Sequence, residues 1–138
     1  MFIQNKIGEV VNVDHILAIK FYDDSAPYEI HVFTEKAEIV FDYESCDALK
    51  SALNRLEKHL IKCCLRWAKF KNWWFRSDRI MSINQYVQDI MVYMIGRDFK
   101  VYMSREDNKK EMVEAKKQIE DSLSEFIFNT LPVFERLD

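Results

Sequence analysis

The sequence predicts an α+β fold built from two similar units, each a 3–4-stranded antiparallel β-meander followed by one long α-helix, packed with pseudo-twofold symmetry. Residues 1-70 form the first β-meander–helix repeat and residues 71-138 the second, in one compact body. Three observations carry this reading. The spacing of apolar residues switches twice from strict alternation to steps of three and four, the change that marks strands giving way to a helix. The order of elements recurs at offsets of 60 to 64 residues. And 138 residues that are 49% apolar, with only two Gly and two Pro, leave room for a real core and little for loose linkers.

In the first half, residues 9–13 and 16–22 read as strand segments around a bend at Asn12 and Asp14, with Ile19 and Phe21 alternating with polar or small neighbours. Asp23, Asp24, Ser25 and Pro27 supply a turn. Tyr28, Ile30 and Val32 then share one face of a strand over 28–33, and Ile39, Phe41 and Tyr43 share one face over 37–43. Beyond them Leu49, Ala52, Leu53, Leu56, Leu60, Cys63, Cys64 and Trp67 fall on one helical stripe. Ser45 is a good N-cap, and Asp47 suits the first turn. The stripe predicts one helix from about 46 to 69.

The second half follows the same order. Ile80 and Ile83 fall on Ile16 and Ile19, Ile90 and Val92 on Ile30 and Val32, and Phe99, Val101 and Met103 on Ile39, Phe41 and Tyr43. Met112, Ala115, Ile119 and Leu123 repeat the helical stripe of Leu49, Ala52, Leu56 and Leu60. Trp73 and Phe75 would lie on one face of the second unit's first strand and Trp74 on the other. Gly96 reads as a hairpin turn, and Ser104 with Asp107 as the cap of a helix over about 105 to 128. In layout, a short sheet plus a helix used twice, the chain resembles paired nucleic-acid-binding modules such as the PUR repeat, although none of that family's motif residues is present. The resemblance is one of layout only, and layout does not fix function.

No catalytic signature is present. Gly8 and Gly96 stand alone, so no Gly-rich phosphate loop can form, and no Ser-His-Asp or Cys-His arrangement can be assembled. The carboxylates fall in turns and on strand and helix exteriors, where they are solvated. His59 and Cys63 have helical ligand spacing, but the further ligands of a metal site are missing. The protein is therefore expected to be no enzyme and to hold no metal and no cofactor. Three cysteines, two of them adjacent, argue for free thiols in a reducing compartment. Residues 1–11 lack a basic region followed by an apolar run, and no stretch is apolar enough to span a membrane, so a cytoplasmic location is expected.

Residues 58–79 carry seven Lys and Arg against one Asp, and all three tryptophans lie between 67 and 74. The candidate binding residues, for protein or nucleic acid, are Lys58, Lys62, Arg66, Lys69, Lys71, Trp73, Trp74, Arg76 and Arg79. A net charge of −3 weighs against a general nucleic-acid binder. With 14% aromatic residues, the leading expectation is a non-enzymatic protein–protein interaction module, an inhibitor, immunity-type or adaptor protein acting by surface complementarity. The alternative is a single-stranded nucleic-acid-binding protein that uses the basic and aromatic segment 62-79. The apolar C-terminal tail, residues 126–134, either folds back on the core or supplies a homodimer surface.

Overall fold

The computed structural model of the chain describes residues 1–62, 66–103 and 109–126. Along them run β1 (Phe2–Gln4), β2 (Val10–Asn12), a 3-10 turn (Val13–His15), β3 (Ala18–Tyr22), β4 (Tyr28–Phe33) and β5 (Glu38–Tyr43). Then come α1 (Cys46–Lys62), β6 (Trp67–Phe70), β7 (Trp73–Arg76), a second 3-10 turn (Ser77–Arg79), β8 (Ile80–Gln85), β9 (Asp89–Met94), β10 (Arg97–Met103) and α2 (Lys109–Phe126). All strand pairs are antiparallel. They form three sheets: β1-β2, β5-β4-β3-β7-β6 and β10-β9-β8.

This architecture corrects the expected α+β pair of like units with pseudo-twofold symmetry. The protein is mainly β, and its three sheets differ in size, with two, five and three strands. The reason lies in the middle of the chain. Residues 67–76 form a hairpin, and its second strand pairs with β3 in the register Ala18↔Phe75, Ile19↔Trp74 and Lys20↔Trp73. The strand expected to head a second unit thus completes the sheet of the first half. The helix expected to reach residue 69 is also corrected, because Trp67 already belongs to β6.

Sequence periodicity misreads this hairpin because it is buried on both faces. Trp67, Ala68, Phe70, Trp73, Trp74 and Phe75 are each at most 6% exposed. A strand covered on both sides reads as a continuous apolar run, and alternation disappears. Lys71 accepts a positive φ of 51° at the tip of the hairpin. Asn72 fastens the tip to β3: its Nδ2 donates to the Phe21 carbonyl at 2.9 Å, and the Phe21 N–H donates to the Asn72 carbonyl at 3.0 Å.

Register sorts the five-stranded sheet into two faces. Ile39, Val32, Ile19 and Trp74 form one row across it. They pack against Leu49, Leu53, Leu56 and Leu60 of α1 in one core. The next row, Phe33, Ala18, Phe75 and Ala68, lies on the opposite face. There, with Phe70 and Trp73, it meets Ile90, Val92, Met94 and Phe99 of the three-stranded sheet and Ala115 and Ile119 of α2. Aromatic rings weld this second core. Trp73 stacks on Phe75 at 5.4 Å and on Phe33 at 5.7 Å, and Phe99 meets Trp73 edge-on at 5.7 Å. Ser45 caps α1, its Oγ accepting from the Ala48 N–H at 3.1 Å. The expected cap of α2 at Ser104 and Asp107, the stripe residues Cys63 and Cys64, and the tail beyond residue 126 lie outside the described residues.

Removing the ring of Phe75, which is fully buried between two sheets, should cost about 3–5 kcal/mol in urea unfolding of the Phe75→Ala chain. The fluorescence of all three tryptophans should resist iodide quenching in the native protein. Ready quenching would contradict the doubly buried hairpin.

Candidate functional site

The sheet register gathers several connections at one end of the five-stranded sheet. The turn Val13–His15 leads into β3 there, residues 34–37 link β4 to β5, β6 begins at its edge after Arg66, and β7 runs out into Ser77–Arg79. The β9–β10 turn of the three-stranded sheet reaches the same end. Arg97 Nη1 donates to the carbonyls of Thr34 and Ala37, each at 3.2 Å. Gly96 sits so close that a Cβ there would come within 2.7 Å of Glu35 Cγ, and its φ is +93°. Five Lys and Arg therefore meet at this end, namely Lys36, Arg66, Arg76, Arg79 and Arg97, together with His15 and against Asp14, Glu35, Glu38 and Asp78. A cleft of about 390 Å³ opens between His15, Leu17, Thr34, Lys36, Arg76 and Arg79.

These cations divide into two kinds. Arg76 and Arg97 are structural. Arg76 donates through Nε to Asp78 Oδ1 at 2.9 Å and through Nη1 to the Asp14 carbonyl. That leaves its side chain 12% exposed. Arg97 lies over the rings of Phe33 and Phe99, at 5.0 and 5.5 Å. Lys36, Arg66 and Arg79 form no ion pair among the described residues, and Lys36 and Arg66 are exposed. Ser77 holds the Arg66 backbone in place: its N–H and Oγ donate to the Arg66 carbonyl at 2.8 and 3.0 Å. The sheet end spans four strand spacings, about 19 Å.

The residues singled out in segment 58–79 do not form one face. Lys58 is exposed on α1, and the side chain of Lys62 lies outside the described residues. Lys69 is on β6, not on a helix; it pairs with Glu57 and lies 4.9 Å over the Trp74 ring. Lys71 is at the opposite end of the sheet, over the rings of Tyr102 and Phe70. Trp73 and Trp74 are core residues at 6% exposure, so neither offers a face to a base or a partner. Arg66, Arg76 and Arg79 come together because β6 and β7 are antiparallel, which sets Trp67 opposite Arg76. His15, Lys36 and Arg97 join them from isolated places in the sequence, where nothing local announces them.

The far end of the sheet has the opposite character. Asp23, Asp24 and Glu29 surround a recess of about 740 Å³ that Lys71 and Asn72 close from the hairpin. The molecule is thus electrically polarised along its strands. Among the described residues no group of His, Cys, Asp and Glu is arranged to hold a metal, and no helix is long and apolar enough to cross a membrane.

No family model matches the chain, and no curated protein does. A solved structure, the LytTr DNA-binding domain of a methyl-accepting/DNA response regulator from Bacillus cereus, is similar over 82% of this chain and 94% of that chain, at 14% identity and a TM-score of 0.46.

Replacing Gly96 with Ala should destabilise the protein by about 1–3 kcal/mol, since it adds both a positive-φ cost and a clash with Glu35. Urea unfolding measures this, and a neutral result would mean that Gly96 neither holds its positive φ nor sits against Glu35.

Proposed function

We propose that the chain binds nucleic acid through the basic end of its five-stranded sheet, with Lys36, Arg66 and Arg79 meeting backbone phosphates. The supporting observation is that these three cations, from separate connections and without an ion pair among the described residues, are held at one sheet end beside the pinned Arg76 and Arg97. A row of phosphates is a ligand whose charge repeats over this distance, and each contact releases counterions. The acidic far end orients the molecule: it repels the polyanion that the basic end attracts, so a net charge of −3 does not oppose binding at that end. Because the tryptophans are buried, the contact is with the sugar-phosphate backbone and not with bases stacked on Trp73 or Trp74. The reading as a protein–protein interaction module has less support, because its anchors were those same tryptophans and a C-terminal tail that lies outside the described residues.

Fluorescence anisotropy with labelled duplex and single-stranded oligonucleotides tests the proposal. Affinity should fall steeply with salt, with a log–log slope of about −2 to −3 for three phosphate contacts. Reversing Arg66 and Arg79 to Glu should weaken binding to every sequence and flatten the slope by about one per residue. Lys58→Glu, on α1, should change neither. Binding that ignores salt, or that survives reversal of Lys36, Arg66 and Arg79 together, would sink the proposal.

A further inference from the structure

The α1 side of the five-stranded sheet contains a second site, with no residue in common with the basic cleft. It is a cavity of about 240 Å³ beneath β1. Ile30, Val32 and Phe41 of the sheet form its floor, Ala52 and Leu56 of α1 one wall, and Ile3 of β1 the roof. The turn that follows β1 is tied to the sheet, since Asn5 Nδ2 donates to the Val40 carbonyl at 3.0 Å.

Four polar side chains line this otherwise apolar space: Gln4, Tyr43, Arg55 and His59. Gln4 Nε2 donates to the Gly8 carbonyl at 3.3 Å. Arg55 and His59 are four residues apart on α1 and so share a helix face, with Tyr43 opposite on β5. Tyr43, Arg55 and His59 have no hydrogen-bond or ion-pair partner among the described residues, and His59 Nδ1 is buried without one. Buried polar atoms are nearly always satisfied, so an unsatisfied one beside a cavity points to a partner that is not part of the chain. Burial pushes the Tyr43 hydroxyl up from its ordinary range, with Arg55 nearby opposing the shift. The hydroxyl remains protonated at neutral pH and acts as a donor. No acid lines the cavity, and Arg55 is its one full charge.

We infer that this cavity binds a small monocarboxylate with a compact apolar body, its carboxylate on Arg55 and the Tyr43 hydroxyl and its body on Ile30, Val32 and Phe41. A guanidinium matches a carboxylate in shape as well as charge. Ile30, Val32, Phe41, Ala52 and Leu56 favour an apolar body over a second charged group. The volume lies below the roughly 300 Å³ at which drug-sized sites begin, so the ligand has on the order of ten non-hydrogen atoms.

The test is a titration of the isotopically labelled full chain with 3-phenylpropionate and with its neutral amide, followed by amide NMR shifts. The acid should produce saturable shifts around Ile3, Tyr43, Arg55 and His59, and the amide should bind about tenfold more weakly. Arg55→Gln, at an exposed helix position, should bring the acid down to the affinity of the amide while the rest of the spectrum stays in place. Ala52→Leu should fill the cavity and abolish both. No saturable shift, equal binding of acid and amide, indifference to Arg55→Gln, or shifts confined to Arg66 and Arg79 would each overturn the inference.

Discussion

The whole architecture depends on burying one hairpin on both faces. Residues 67–76 carry three tryptophans and two phenylalanines in ten positions. Aromatic side chains each bury on the order of 150–250 Å², so no single covering layer can take them all out of water. β7 answers this by pairing with β3 on one side and β6 on the other. Trp67 and Trp74 then face α1, while Phe70, Trp73 and Phe75 face the three-stranded sheet. Each later element has a place because it covers part of this hairpin. β8–β10 supply Ile90, Val92, Met94 and Phe99, and α2 lies along β6 with Ala115 and Ile119. The two halves of the chain are unlike as a result, since one sheet has taken two strands that a symmetric arrangement would have shared.

The same packing separates charge. Strands that are buried on both faces place their polar residues at the ends, in turns and short 3-10 segments. At one end these are chiefly arginines and a lysine, and at the other, aspartates. Arg76 and Arg97 show how the basic end is kept rigid. Their guanidinium groups bind backbone carbonyls of the opposing turns and so join the five-stranded sheet to its neighbours. Their charge is retained while their donors are largely used, whereas Lys36, Arg66 and Arg79 form no ion pair among the described residues. On the α1 side the reverse holds: a mostly apolar space contains polar side chains that the protein itself does not satisfy.

Particular residues show how much of this the sequence discloses. The alternation of Tyr28, Ile30 and Val32 and of Ile39, Phe41 and Tyr43 locates β4 and β5, because one face of each is packed and the other is largely polar. Leu49, Leu53, Leu56 and Leu60 locate α1 for the same reason, with Ser45 at its start. Trp67 does not end that helix, although its spacing fits the stripe, because a run that is apolar on every side fits a helix and a buried strand equally well. Of the candidate site, Arg66, Arg76 and Arg79 stand out as a basic run, and antiparallel pairing brings them together. Lys69 and Lys71 stand in the same run and are carried away from them, one onto the α1 face and one to the acidic end.

By itself, then, the sequence determined the local facts: which segments are amphipathic, where most turns fall, and that a real core exists. Those depend on neighbours within a few residues, whose spacing records which face of a strand or helix meets water. Only the tertiary structure decided which strands pair, why the tryptophans are core, and why His15, Lys36 and Arg97 share an end with Arg66 and Arg79. Hydrogen-bond register is set by the partner strand, and a strand covered on both faces carries no periodic mark of its partner. The three-sheet arrangement follows from the need to cover the hairpin twice, a demand that appears only when the chain is closed on itself.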